Sequence, residues 1–180
     1  MKVYSRQFNL FLALALLPAL FCGCSMFGSR NEPLAGMRVY MEVAPGAVVA
    51  GGNETKTVSV LRSSPVTVTI DKDPVLTEAN LVAAKVIRTP DAPAIEVRFD
   101  ENGTWILEQY TAANPGRHFV IFGSWGKDLK NTRPLAAPLI TQRINDGILS
   151  FTPDMTLDEA NAFVQGLNNV IKQFQTSPSE

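Results

Sequence analysis

Few residues in this chain could perform acid–base, nucleophilic or metal chemistry. His118 is the only histidine, so a zinc site would lack the ligands that such sites need, and a Ser-His-Asp triad would have to use this one ring. The carboxylate pairs Asp100/Glu101 and Asp158/Glu159 could act as acid and base. Each pair falls at a predicted helix start, where carboxylates cap free N–H groups and complement the helix dipole. We therefore predict no enzyme, no metal site and no cofactor, and interpret His118 as a strand-end residue with a hydrogen-bonded ring.

Two cysteines, Cys22 and Cys24, lie close together, and no cysteine follows them. They end the apolar run Leu10–Phe21, which is too short to span a bilayer core of about 30 Å as a helix but is typical of a secretory signal. Gly23 before Cys24 resembles the bacterial lipobox. Residues 1–23 are therefore predicted to be a lipoprotein signal peptide, with Cys24 acylated. Cys22 is the weaker alternative because a phenylalanine would then precede the cut, and a plain signal peptide with incidental cysteines is the other.

The predicted lipid determines where the protein would reside. Cleavage before Cys24 would leave a single cysteine, so no intramolecular disulfide could form. Two or three acyl chains would hold the mature chain on a membrane, since one chain binds only marginally. We expect export across the inner membrane and anchoring at the periplasmic face of the outer or the inner membrane, and the sequence leaves that choice open.

Composition and charge exclude several classes of protein. The chain has 16 Lys and Arg against 17 Asp and Glu, with 46% apolar and 18% charged residues. This apolar content excludes a wholly disordered, collagen-like or coiled-coil chain. The near-neutral balance argues against a nucleic-acid partner, because phosphate binding needs a basic face.

Local patterning divides the mature chain into a tether, a β-rich start and a larger body. Residues 24–36, rich in Ser, Gly and Pro, predict a flexible tether. Residues 37–72 predict three strands, because apolar and polar residues alternate; these either form a small sheet of their own or extend the next one. Residues 73–174 form the body and residues 175–180 a disordered tail. The predicted fold class is α+β: a mostly antiparallel sheet with two helices packed on one face, preceded by a small β-rich N-terminal segment.

Two helices and one buried strand can be placed within the body. Asp100 is predicted to cap a helix over Glu101–Ala113, and Thr156 and Glu159 form a capping box before the last helix. The stretch His118–Phe122 is continuously apolar after the histidine, which indicates a strand covered on both faces. The inner side of the first helix is predicted to consist of Trp105, Ile106, Gln109 and Tyr110.

A polar loop is predicted over Gly123–Arg133, and it offers the one surface that favours a partner. Trp125 lies inside this loop, accompanied by Lys127, Lys130 and Arg133. An exposed Trp beside cations is typical of a contact patch, so these four residues are the predicted partner-binding site. The alternative is that Trp125 folds back onto the core.

Six short stretches in the body carry a family resemblance through their order and spacing. They are Asp73-Pro74-Val75-Leu76-Thr77, Phe99-Asp100-Glu101-Asn102-Gly103, Gly116-Arg117-His118-Phe119-Val120-Ile121, Ala136-Ala137-Pro138-Leu139-Ile140, then Ile144, Gly147 and Phe151-Thr152, and finally Leu157-Asp158-Glu159-Ala160 with Leu167. Together, over roughly residues 74–172, the body resembles the periplasmic head subdomain of the protein-export subunits SecD and SecDF. The resemblance implies the fold and contact with extended polypeptides or envelope partners.

The chain also departs from that family. Gly123-Ser124-Trp125-Gly126 and a longer charged loop stand where the family has an Asp-Gly hairpin, and the family's membrane helices have no counterpart, so translocase activity is not implied. We predict a lipid-anchored envelope protein whose non-catalytic domain binds a protein or an exported polypeptide, with sheet-edge pairing as one mode. The alternatives are a structural or assembly role through the N-terminal β segment, and an envelope hydrolase acting through His118.

Overall fold

A computed structural model describes residues 32–44, 54–88 and 92–176 of the chain. The chain divides into two compact units, Met1–Asn31 and Glu32–Glu180, and every described residue belongs to the second unit. The predicted signal peptide, the predicted lipidation residue Cys24 and most of the predicted tether therefore lie outside the described residues.

The elements of the described residues are strands and helices in an α+β order. They are β1 (Ala35–Met41), β2 (Thr55–Val60), β3 (Val66–Asp71), β4 (Leu76–Thr77), β5 (Leu81–Arg88), β6 (Pro93–Phe99), α1 (Glu101–Ala113), β7 (Phe119–Trp125), β8 (Asn131–Ala136), β9 (Ile148–Phe151) and α2 (Leu157–Thr176). Short 3-10 turns occupy Glu78–Asn80 and Lys127–Leu129. The strands form three antiparallel sheets, ordered β4-β1-β7-β8, β5-β6-β9 and β2-β3. The predicted α+β class is confirmed, with the strands divided among three sheets.

Strand β7 lies inside the four-stranded sheet and is covered on both faces. Phe119 and Ile121 face the main core, which α2 completes, while Val120 faces the opposite side. All three side chains are buried. Phe119 and Ile121 are buried in the main core, and Val120 is buried because the β2-β3 hairpin packs four residues over it: Val58, Val60, Val68 and Ile70. The continuously apolar run therefore belongs to a strand buried on both sides, as predicted.

The N-terminal strands take both arrangements that the sequence left open. Strand β1 pairs with β4 and β7, so it is an inner strand of the body's sheet, whereas β2 and β3 pair with each other as a hairpin. Residue 73 therefore does not separate compact units. The predicted tether also ends early, because β1 begins at Ala35 and the Pro33 carbonyl accepts a hydrogen bond from Asn169 Nδ2 at 3.0 Å.

Helix α1 has the predicted bounds and cap but buries a different side. Asp100 Oδ1 accepts a hydrogen bond from the Gly103 N–H at 2.6 Å, which satisfies a free donor of the first turn. The buried residues are Gly103, Leu107 and Thr111, four positions apart, while Trp105 is 61% exposed. The predicted inner side is therefore wrong at Trp105, Gln109 and Tyr110, which are exposed, whereas Ile106 is half-buried and packs against the core. Thr111 can be buried because its hydroxyl donates to the Leu107 carbonyl at 2.7 Å.

Helix α2 begins at the predicted capping box. The Glu159 N–H donates to Thr156 Oγ1 at 3.2 Å, and the Thr156 N–H donates to Glu159 Oε2 at 2.8 Å. The helix continues through Thr176, past the predicted end at residue 174. Its core-facing side consists of Ala160, Phe163, Val164, Leu167 and Ile171. No helix within the described ranges has the length and apolar character needed to cross a membrane.

The predicted loop over residues 123–133 is mostly strand. Strand β7 extends through Trp125 and β8 begins at Asn131, so only a short turn joins them. The apolar face of β7 continues past the visible apolar run, because Gly123 and Trp125 occupy the next two core-facing positions. Both the length of the strand and the position of the indole follow from this alternation.

Gly123 gives a test of how closely α2 packs on the sheet. A Cβ there would overlap the Leu135 side chain and lie 2.9 Å from Phe163 Cε2, so Gly123→Ala should lower the free energy of unfolding by about 1–3 kcal/mol. Urea denaturation measures the change. Gly36→Ala is the matched control, because its Cβ would meet Glu78 Oε1 at 3.7 Å and should change stability by less than about 0.5 kcal/mol. Equal stability of the two variants would contradict this packing.

Candidate functional site

Trp125 lies in the core rather than on a contact patch. It is 5% exposed and packs edge-on against Phe163, with ring centroids 5.9 Å apart and planes at 74°. The Arg133 guanidinium lies over the indole, 5.2 Å from the ring centroid. The expectation of an exposed Trp125 is therefore wrong, and its alternative, a Trp folded onto the core, describes the structure. The physical reason is that Trp125 shares the core-facing side of β7 with Ile121 and Gly123.

The four residues of the predicted patch are divided between two environments. Trp125 and half-buried Arg133 face the core side, while Lys127 and Lys130 are exposed on the turn between β7 and β8. Lys130 Nζ lies 3.9 Å from Asp128 Oδ2, the outer limit of an ion pair. The turn thus presents two cations to solvent without the indole that was predicted beside them.

An open groove lies on the other face of the same sheet. Its floor is formed by Tyr40 of β1 and Phe122 of β7, whose rings meet edge-on with centroids 5.3 Å apart. One part has a volume of about 360 Å³ and the other, which shares both rings, about 310 Å³. We call this surface the outer groove, lined by Gly36, Arg38, Tyr40, Glu78, Phe122, Ser124, Leu129 and Thr132 in the first part and by Lys56, Ile70, Asp71 and Lys72 in the second.

Strand register explains why these side chains meet. Arg38 pairs with Phe122, and Tyr40 lies opposite Val120 on the face that points away from α2. The hairpin covers Val120 completely but leaves Tyr40 and Phe122 half-buried. The outer groove is therefore the part of this sheet face that the hairpin does not reach.

The rim of the outer groove is polar and carries free cations. Within the described part of the chain, Arg38 and Lys56 form no ion pair and are exposed. Glu78 is held in place, because its Oε2 accepts the Met37 N–H at 3.0 Å. Thr132 Oγ1 donates to Ser124 Oγ at 3.0 Å. An apolar floor between polar walls can contact an apolar side chain and the backbone beside it.

The β2-β3 hairpin forms one wall of the outer groove, and Arg62 at its tip is hydrogen-bonded to Asp154. Asp154 Oδ2 accepts the Arg62 N–H at 2.8 Å and Arg62 Nε–H at 3.1 Å. Arg133 donates to the Asp154 carbonyl, and its Nη2 lies 3.6 Å from Glu159 Oε1. Burial acts to raise the pKa of Asp154, but hydrogen bonds and charge from Arg62 outweigh it and lower that pKa below its ordinary value. Its hydrogen bond to Asp154 correspondingly raises the pKa of Arg62.

Three of the other candidates for chemistry, His118, Asp100 and Glu159, have structural partners. His118 precedes β7, and both its backbone N–H and its Nδ1 lie within hydrogen-bond distance of Glu42 Oε2, at 2.7 and 2.8 Å. Asp100 and Glu159 serve as helix caps. Across residues 32–44, 54–88 and 92–176, no three His, Cys, Asp or Glu side chains come together as metal ligands.

Comparison with known proteins places the fold. A family model of the SecDF P1 head subdomain matches residues 55–169, more than half of the chain. Two solved structures, one of SecDF as a membrane component that enhances protein export and one of SecDF in a super-membrane-facing form, each align with 76% of this chain at 18% identity and a TM-score of 0.51. The chain spans 63% of the first and 19% of the second. No curated protein sequence matches it. The family match begins in the hairpin, earlier than the sequence resemblance indicates.

The Arg62–Asp154 pair should make stability depend on pH. Because the folded-state pKa of Asp154 is lowered, its contribution is complete above its ordinary value near 3.8 and is lost as pH falls through the folded value. Asp154→Asn should be less stable than wild type at pH 7, and the difference should shrink as the pH falls below about 3.8 in urea titrations. Asp73→Asn, at an exposed carboxylate, is the control and should show no such trend. A difference that stays constant with pH would show that charge is not the cause.

Proposed function

The chain belongs to the family of the SecDF P1 head subdomain, and from this premise we propose that it is a non-catalytic, polypeptide-binding module held at the cell envelope by a lipid anchor. The observation that carries the proposal is the outer groove, with the half-buried rings of Tyr40 and Phe122 as its floor. The proposed ligand is an extended segment of an exported polypeptide or of an envelope protein.

The chemistry of the outer groove supports this ligand class. An extended chain presents side chains alternately to either side, so one apolar side chain can rest on Tyr40 and Phe122 while its neighbours face the polar rim. Ser124 and Thr132 contribute hydroxyl groups to the lining of the outer groove. Each is engaged in a hydrogen bond to the other rather than to a catalytic base, which favours contact over chemistry.

The proposed anchor rests on the sequence around Cys24. Gly23 and the preceding apolar run support acylation there, and a lipid at that position would keep the domain close to a membrane surface. In one solved structure, SecDF is a membrane component that enhances protein export. By extension, we propose that this chain contacts exported polypeptides.

Binding to the outer groove can be measured with a permanently unfolded probe. We expect the mature protein to bind a reduced, carboxymethylated polypeptide in fluorescence anisotropy. Phe122→Ser should weaken binding about tenfold, since it removes an aromatic contact of hot-spot type.

Trp105→Ser is the matched control for that experiment. Trp105 is 61% exposed on α1 and does not line the outer groove, so its loss should leave the affinity unchanged. Circular dichroism should show both variants folded. Equal affinities for wild type and Phe122→Ser would overturn the proposed site.

Lipidation is tested separately in cells fed radiolabelled palmitate. Cys24→Ala should abolish the label, whereas Cys22→Ala should retain it, because only Cys24 follows a small residue. Label that persists in Cys24→Ala would assign the lipid to Cys22, the weaker alternative, whereas label that never appears on the wild type would refute the anchor. Neither result bears on binding at the outer groove.

A further inference from the structure

The turn between β7 and β8 is held in an unfavourable backbone conformation. Gly126, Asp128 and Leu129 have φ angles of 83°, 56° and 53°. Glycine takes this left-handed region freely and aspartate tolerates it, but a leucine adopts it at a cost because its Cβ crowds the backbone. A strained residue persists where the surrounding structure enforces it, and such positions cluster at binding sites.

The left-handed conformation places Leu129 in the wall of the outer groove. Its side chain lines the groove together with Phe122 and Thr132, yet it is 40% exposed. A leucine that is both strained and exposed gains little for the fold from its position. Its placement extends the apolar surface of the floor upward into a wall that a bound side chain could touch.

The charges on either side of Leu129 have one sign in excess. Lys127 and Lys130 are exposed within the same turn, and Arg38 lines the groove without an ion-pair partner in the described residues. Two carboxylates lie nearby: Asp128 Oδ2 is 3.9 Å from Lys130 Nζ, and Glu78 Oε2 accepts the Met37 N–H. Among the described residues, Lys127 and Arg38 therefore remain without an ion-pair partner. Carboxylates on a ligand would therefore find cations at this end of the groove.

We propose that this turn is the selectivity element of the outer groove: Leu129 contacts an apolar side chain of the bound segment, and Lys127, Lys130 and Arg38 favour acidic residues beside it. The inference rests on the proposed function and names its ligand class, an extended polypeptide segment with an apolar residue between carboxylates.

The chain contains a matched control for the strain. Leu61, in the hairpin turn, also has a positive φ of 68° and is 36% exposed, but it does not line the outer groove. Leu129→Gly and Leu61→Gly remove the same side chain from the same backbone region. Both should leave the thermal midpoint equal to or above that of the wild type, because glycine relieves the left-handed conformation.

The test uses the mature protein and two fluorescent peptides of Gly and Ser, one with a central Phe flanked by Glu and one with the same Phe flanked by Lys. We expect the Glu peptide to bind at least several-fold more tightly than the Lys peptide at low salt, with the difference reduced in about 0.5 M NaCl by screening. Leu129→Gly should weaken binding of the Glu peptide about tenfold, Leu61→Gly should not change it, and the double variant Lys127→Glu/Lys130→Glu should reverse the preference.

Each outcome decides the inference. Unchanged binding in Leu129→Gly, or equal binding of the two peptides, overturns it. If Phe122→Ser weakens binding while Leu129→Gly does not, the proposed function is supported and the role of the turn is refuted. If the wild type binds neither peptide nor the unfolded polypeptide, both the proposed function and the role of the turn are refuted.

Discussion

The packing of β7 between α2 on one face and the hairpin on the other is the constraint on which the rest of the structure depends. On the α2 side, Gly123 has no side chain, so Leu135 and Phe163 close directly over the strand. Gly166 of α2 likewise leaves room for the start of β1, since a Cβ there would lie 2.8 Å from the Ala35 backbone N. The α2 face of the sheet is therefore closely packed around these two glycines. On the hairpin face, the hairpin covers Val120 completely but leaves Tyr40 and Phe122 partly open, and this open part is the outer groove.

Local signals in the sequence predicted the features that local interactions determine. The caps at Asp100 and Thr156 depend on residues three positions away, and both form as predicted. The burial of β7 on both faces was also readable, because an uninterrupted apolar run satisfies two apolar environments at once. The family resemblance anticipated the fold in the same way, although it missed the hairpin, whose alternating strands carry little specific sequence.

The errors arose where the fold decides which side of an element faces the core. Trp105 and Tyr110 are large and apolar, yet α1 buries the smaller stripe through Leu107, because Gly103 allows close packing against Phe99 and Asn80. Trp125 was assigned to a loop although it continues the alternation of β7. Tyr40 and Phe122 occupy outward positions of their strands, and a sequence pattern cannot say whether a second layer covers such positions. The groove floor was missed for this reason.

The hairpin connects the fold to the proposed site. Its inner valines cover Val120 on one face of the sheet, and its open end contributes Lys56 and Ile70 to the wall of the outer groove. At its tip, Arg62 bonds to Asp154, a residue distant in sequence that lies just before α2. One hairpin thus completes a core, shapes a groove and bonds to the segment that leads into the main helix. A family match that begins at residue 55 rather than at residue 74 has this physical meaning: without the hairpin the sheet would expose Val120, and the groove would lose one of its walls.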